Sequence, residues 1–326
     1  MTMAVPHKPP SRARNTLHHS VRLPANFRRQ DVLAFHGRDP HALAERVSAS
    51  RLDKGLVWQG APALLSLDFQ DDAVDAKLFV DADSDLDAGA HQPRFEAMVR
   101  RMLGLDQDVN GFERAHRHHP ELGPVLARQS GLRVPVTASP FEALSWAITG
   151  QQISVQAAVA IRRRLIEACG IRHTSGIFCH PQAAQLLPLG EAGLRAAGFT
   201  ASKARTLLSV SEAVQGGVLP LDEWLDAERD KQLASGLSDG PDDISAKLLA
   251  LKGIGPWTVS YALMRGFGWL DGSLHGDVAV RRALGALLAQ APASVTPQEA
   301  EAWLAPLSPW RGLAAAHLWA SLSMAA

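Results

Sequence analysis

The chain has 326 residues, 46% hydrophobic and 20% charged, with 33 basic side chains balanced by 33 acidic ones. That length supports two or three domains with cores of their own, and no stretch reaches the roughly 18 consecutive apolar residues of a membrane span. The two cysteines, Cys169 and Cys179, are too few for a disulfide framework, a four-cysteine zinc site or an iron–sulfur cluster, and they fit a reducing cytoplasm. Zero net charge excludes whole-molecule steering towards nucleic acid, so such a partner has to be held by a local surface and by backbone donors.

Residues 1–20 are rich in Pro, His and Arg and lack an apolar segment; they read as a disordered tail, not a secretory signal. Residues 21–115 read as a small α+β domain. Leu65, Leu67 and Phe69 alternate with Ser66 and Asp68, and Val74, Ala76, Leu78 and Val80 alternate with Asp75, Lys77 and Phe79. With Gln70, Asp71 and Asp72 as the turn, this is an antiparallel hairpin. A helix is predicted over 93–105, with Pro93 in its first turn. The domain boundary falls within 107–139. After Pro135 helical periodicity takes over: Phe141, Leu144 and Ile148 share a face, and further helices are predicted over 154–168, 201–214 and 244–251. Arg162, Arg163 and Arg164 read as a solvated helix face. The cluster His116, Arg117, His118 and His119 lacks cysteine or a regular i, i+4 ligand pair, and reads as a solvated polar segment.

The most informative segment runs from Ile244 to Phe267. Ile244, Leu248 and Leu251 share a helix face, with Asp242 or Asp243 placed to cap its start. Gly253 and Gly255 flank Ile254 and permit a tight turn, and Pro256 suits the first turn of a second helix packing through Val259, Ala262, Leu263 and Gly266. A helix N-terminus behind such a turn offers N–H groups to a phosphate oxygen. An ordinary helical hairpin closed by glycines fits the same spacing.

Asp277 follows an irregular stretch and precedes a helix with the apolar stripe Val280, Leu284, Leu287 and Leu288. As an N-cap it is worth about 1 kcal/mol. The same place suits a carboxylate that stabilises positive charge on a sugar or orients an attacking water, and one residue can do both.

Together these residues resemble a known family. LKGIGPWTVSY (251–261) followed by HGDV (275–278) is similar to the hairpin and aspartate signature of the helix-hairpin-helix (HhH-GPD) superfamily of DNA glycosylases. FEALSWAITGQQIS (141–154) resembles its minor-groove helix and loop. SPWRGLAAAHLW (308–319) resembles the closing helix of its bacterial AlkA-like 3-methyladenine glycosylase II branch. The resemblance implies a mostly α fold of two helical subdomains (116–139 with 270–326, and 140–269) behind an N-terminal α+β domain.

The resemblance further implies that Asp277 is the catalytic carboxylate and that Gly253, Ile254 and Gly255 hold DNA phosphate. Gln152 takes the place of the wedge that fills the gap left by a flipped nucleotide. Trp257, Tyr261 and Trp319 match aromatic pocket positions suited to a cationic alkylated purine. Carbonyls near Leu251 and Ile254 are where such hairpins hold a monovalent cation; no other metal and no cofactor is implied. Bifunctional relatives carry a lysine two residues after the second glycine, where this chain has Trp257, so hydrolysis without strand cleavage is expected. Val278 stands where that branch has an aromatic, which bears on lesion breadth. His275, two residues before Asp277, is a further candidate contact to DNA or water. The expected protein is a cytoplasmic, monomeric base-excision enzyme acting on alkylated purines in damaged double-stranded DNA, without a membrane partner. A non-catalytic hairpin clamp and a glycosylase for oxidised purines are the alternatives.

Overall fold

A computed structural model of the chain describes residues 15–82, 87–226, 241–290 and 294–324. The N-terminal part is a five-stranded antiparallel sheet, β1 (Thr16–Arg22), β2 (Glu45–Val47), β3 (Arg51–Trp58), β4 (Ala61–Phe69) and β5 (Ala73–Val80), in the order β1-β5-β4-β3-β2. The expected hairpin is β4–β5, with Phe69 opposite Val74. Its buried face, Ala63, Leu65, Leu67 and Phe69 with Val74, Ala76, Leu78 and Val80, is covered by helices α1 (Arg29–His36) and α2 (Ala88–Met102).

Two expectations need correction here. Thr16–Ser20, assigned to a disordered tail, belong to β1, because Leu17 and Val21 bury on the core face while the backbone pairs with β5. Residues 1–14 lie outside the described residues. Helix α2 starts at Ala88, not Pro93: the Asp87 side chain accepts from the Gly89 and Ala90 N–H groups, so the cap precedes the proline by a turn and a half.

The rest of the described chain is helical: α3 (Val109–His116), α4 (Leu122–Arg128), α5 (Pro140–Gly150), α6 (Val155–Cys169), α7 (Ala183–Leu186), α8 (Gly190–Ala196), α9 (Ala201–Gln215), α10 (Pro241–Leu249), α11 (Pro256–Ala262), α12 (Val278–Leu287), α13 (Pro297–Leu304) and α14 (Arg311–Met324). Side-chain caps at Ser139, Ser154, Thr200 and Thr296 start α5, α6, α9 and α13. These helices enclose two cores. One joins α3, α4, α12, α13 and α14; the other joins α5 to α11. Helices α5 and α11 are the shared wall: Ala147 and Tyr261 face the first core, while Leu144 and Val259 face the second.

The sheet domain docks on this wall through close backbone contact and buried charge. At Gly55 the segment around Phe178 crosses β3 so closely that a Cβ would lie 2.0 Å from the Phe178 carbonyl oxygen. Beside it Lys54, with no exposed surface, donates to Glu45 and Glu142 at 2.6 Å each, and Arg162 bridges the same two carboxylates. Burial works against ionised Glu142, but Lys54, His180 and Arg162 outweigh it and hold its pKa down to about 2. Burial pushes His180 down to about 4, against the pull of Glu142. The arginine run is therefore not a solvated face. Arg162 is in this network, Arg163 pairs with Asp39 at 3.0 Å, and Arg164 donates to the Ala197 carbonyl at 2.8 Å.

The histidine cluster also divides. Arg117 and His118 are exposed, whereas His116 packs on Phe112 and Trp310, and His119 packs edge-on to Trp303. Among the described residues no group of three His, Cys, Asp or Glu side chains is placed to hold a metal ion, and no helix is long and apolar enough to cross a membrane.

Candidate active site

Helices α10 and α11 form the expected hairpin. Asp242 and Asp243 lie inside the first turn of α10, which begins at Pro241. Gly253 has φ +90°, and a Cβ there would sit 2.1 Å from the Thr206 hydroxyl oxygen, which itself donates to the Lys252 carbonyl at 3.1 Å. The turn needs this glycine twice, for conformation and for space. Gly255 is different. Its backbone is extended, and a Cβ there would meet no protein atom within 4 Å. Ile254 is buried between them and anchors the turn, its N–H donating to the Leu251 carbonyl at 3.1 Å. Pro256 opens α11, whose first turn has no side-chain cap, so its N–H groups are left for another partner.

The loop after α5 is tied to this hairpin. Gln151 Nε2 donates to the Gly253 carbonyl and to the Thr258 hydroxyl, both at 3.0 Å, and Lys203 Nζ donates to the Thr149 carbonyl at 2.9 Å. Gln152 is thereby held at the tip, exposed, with φ +55°. A non-glycine residue in that region costs on the order of 1 kcal/mol or more and persists only where its surroundings enforce it. Ile153 and Val155 beside it are exposed apolar residues.

Asp277 caps α12. Its Oδ1 accepts from the Ala279 and Val280 N–H groups at 2.9 Å each and from Trp319 Nε1 at 3.1 Å; its Oδ2 accepts from Trp257 Nε1 at 2.9 Å. The loop leading to it is fastened to α14, since Arg311 pairs with Asp271 at 2.8 Å and the Gly312 N–H donates to the Leu270 carbonyl. The Trp257 and Tyr261 rings stack with centroids 5.2 Å apart, and Tyr261 lies 6.3 Å from Trp319 at a tilt of 54°. All four partners of Asp277 are donors, so the carboxylate is fixed as an acceptor, with Oδ2 the less occupied oxygen.

The four residues expected at the reacting centre, Trp257, Tyr261, Asp277 and Trp319, thus adjoin one another, with Val278 at the rim, 61% exposed. His275 hydrogen-bonds Ser273 at 2.9 Å and is not among the partners of Asp277. A cavity of about 450 Å³ between the sheet domain and the helices, lined in part by Trp58, Arg101 and His180, touches none of these four. Sequence reasoning missed Gln151, Thr206 and Lys203. A glutamine, a threonine and a lysine on polar stretches carry no signal of the backbone carbonyls they meet more than 40 residues away.

Comparisons with known proteins show the family and the fold. A family model described as HhH-GPD superfamily base excision DNA repair protein matches residues 145–307, and an AlkA N-terminal domain model matches residues 16–139. The chain is 29% identical over 230 residues to a probable bifunctional transcriptional activator/DNA repair enzyme AlkA of Mycobacterium tuberculosis, covering 69% of this chain but 42% of that protein. It is 28% identical to DNA-3-methyladenine glycosylase 2 of Escherichia coli, covering 61% of this chain and 63% of the relative. The chain therefore spans less than two thirds of these relatives. In fold it is similar to a 3-methyladenine DNA glycosylase from Archaeoglobus fulgidus, with a TM-score of 0.75 at 18% identity over 92% of this chain and 97% of that one.

Proposed function

Because the chain belongs to the HhH-GPD superfamily of base excision DNA repair proteins, we propose that it is a monofunctional DNA glycosylase that hydrolyses the N-glycosidic bond of alkylated purines such as 3-methyladenine in double-stranded DNA. The observation that carries this reading is the convergence of two indole N–H groups and two backbone N–H groups on Asp277. A capping aspartate needs the backbone pair alone; the indoles bring an aromatic wall to the same carboxylate.

In this proposal Gly253, Ile254, Gly255 and the start of α11 grip a phosphate. Carbonyls near Leu251 and Ile254 would hold a monovalent cation, which would add positive charge beside that phosphate; the Leu251 carbonyl accepts one N–H and keeps a second lone pair for it. Gln152 enters the stack from the minor groove and fills the place of the flipped nucleotide. The base rests among Trp257, Tyr261 and Trp319, where a positively charged purine gains about 0.5–2 kcal/mol per ring face. The bond from C1′ to the base nitrogen breaks with its electron pair going to the base, which leaves neutral. Water oxygen bonds C1′, its proton passes to Asp277 and on to solvent, and Asp277 stabilises the positive charge carried by the sugar meanwhile. The products are free base and an abasic site.

Trp257 occupies the position from which a lysine would form a Schiff base, and its N–H is committed to Asp277, which favours hydrolysis over strand cleavage. The proposed enzyme works as a cytoplasmic monomer, since one lesion needs one site. The test is incubation with methylated duplex DNA. Released 3-methyladenine, with strand breaks appearing only after alkali, supports the reading; breaks without alkali overturn the monofunctional part of it.

A further inference from the structure

Behind the aromatic wall lies a cation that the proposed reaction does not yet use. Arg265 follows Tyr261 by four residues, in a π turn (Leu263–Phe267) that continues α11. Its backbone carbonyl accepts from the Thr137 N–H at 2.8 Å and the Thr137 hydroxyl at 3.0 Å, which fixes the turn. Its guanidinium donates to the Pro135 carbonyl at 2.7 Å and lies 5.7 Å from the centroid of Trp319 and 4.7 Å from that of Phe35 on α1. Its Nε is buried without a hydrogen-bond partner. The ionisable groups that act on it are the adjoining Tyr261 hydroxyl and Arg38, the latter packed on the same Phe35 ring at 4.1 Å. No carboxylate among the described residues pairs with it.

A desolvated guanidinium without a counter-ion costs several kcal/mol, and isosteric apolar side chains would avoid that cost. Burial shows its strain, pushing the Arg265 pKa down to about 10. We propose that Arg265 is a positioning residue of the base pocket, holding the Tyr261 and Trp319 rings from behind and placing positive charge on the side of the departing base. The inference rests on the glycosylase reading above. When the glycosidic bond breaks, the base gains an electron pair and the sugar becomes positive. Arg265 behind the base and Asp277 near the sugar form a fixed field along that movement of charge. Such a field disfavours a cationic base in the bound state and favours its departure. It acts on the rate and, for a cationic lesion, opposes binding. Through Phe35 the arrangement also ties the pocket to the N-terminal domain.

The test is single-turnover excision from duplexes carrying 7-methylguanine, which is cationic, or hypoxanthine, which is neutral, by wild type, Arg265→Met and Arg265→Lys over pH 7–9. Arg265→Met is expected to lose about tenfold or more in the rate constant on both bases, while half-saturation on 7-methylguanine DNA stays equal or falls to lower enzyme concentration. Arg265→Lys is expected to recover most of the rate at pH 7 and to lose it towards pH 9, as the desolvated ammonium gives up its proton, while the wild-type rate on hypoxanthine holds. A rate within threefold of wild type for Arg265→Met overturns the inference, as does a loss that lies wholly in weaker binding. If Arg265→Met does not fold, the lysine profile decides, and a flat one overturns the proposal. Wild type that excises neither of these bases nor 3-methyladenine removes the glycosylase reading and this inference with it; wild type active on any of the three beside an Arg265→Met within threefold of it on that base removes the inference alone.

Discussion

Gln151 holds the Gly253 carbonyl at 3.0 Å and, with the same amide nitrogen, the Thr258 hydroxyl at 3.0 Å. The loop that carries Gln152 and the hairpin proposed to grip phosphate are therefore one rigid piece, although the glutamine lies 102 positions before the glycine it holds. Gln151→Ala removes two bonds worth roughly 1 kcal/mol each. It is expected to slow base excision about tenfold, because the wedge is no longer aligned with the grip. Single-turnover rates at saturating enzyme, together with a melting curve to confirm the fold, check this.

The two glycines of the hairpin separate folding from binding. Gly253→Ala places a Cβ 2.1 Å from Thr206 at φ +90°, and is expected to destabilise the protein by about 2 kcal/mol or more in urea unfolding. Gly255→Ala meets no protein atom, and its backbone is extended. It should leave stability unchanged and weaken DNA binding roughly tenfold, by standing where a phosphate has to approach. Urea titrations and DNA binding measured on both variants check the contrast.

Removing one indole N–H at a time tests how Asp277 is held. Trp257→Phe and Trp319→Phe keep an aromatic ring and each delete one donor to the carboxylate, from 2.9 and 3.1 Å respectively. A hydrogen bond to a charged group is worth about 1.5–3 kcal/mol, so excision should fall roughly ten- to hundredfold, with DNA affinity little changed. Rate constants and dissociation constants determined on the same duplex separate the two.

Stability should fall with acidity in a defined window. Burial holds His180 at about 4 and His317 at about 3, and lowers His36, all below the ordinary 6.5. The unfolded chain therefore binds more protons as pH drops from about 6.5 towards 4, and stability present above 6.5 is lost through that range. Below about 4.5, Glu142, held at about 2, adds a second loss. Each histidine accounts for a slope of up to about 1.4 kcal/mol per pH unit. Urea unfolding between pH 7.5 and 4 should be flatter for His180→Phe by up to that amount.

Much of this was legible in the sequence where one short segment carries the whole pattern. The hairpin glycines, the proline after them and the aspartate ahead of an apolar stripe lie within 35 residues, so the motif can be read from local spacing even though Thr206, Gln151 and Trp319 come to it from far along the chain. The β4–β5 pair was legible for the same reason. What was not legible depends on partners far along the chain. Arg162 looks like any basic helix residue until Glu45, 117 positions earlier, is brought against it. Lys54 sits in a strand with Leu52 and Leu56 and gives no sign that two carboxylates wait in the core. Arg265 draws no notice in the sequence, because Phe35, which packs on its guanidinium, lies 230 positions earlier. The strand at Thr16–Arg22 was hidden by its paired histidines and by its place at the head of a basic segment.

The central claim is that Asp277 works as more than a helix cap, and one measurement addresses it most directly: release of 3-methyladenine from methylated duplex DNA by wild type and by Asp277→Asn, with DNA affinity measured on both. Asparagine still caps a helix. The account predicts release by the wild type and a loss of about a hundredfold or more for the variant, with affinity nearly unchanged and the melting temperature lowered by no more than the one indole hydrogen bond that the amide nitrogen cannot accept. Equal release by the two proteins would contradict it.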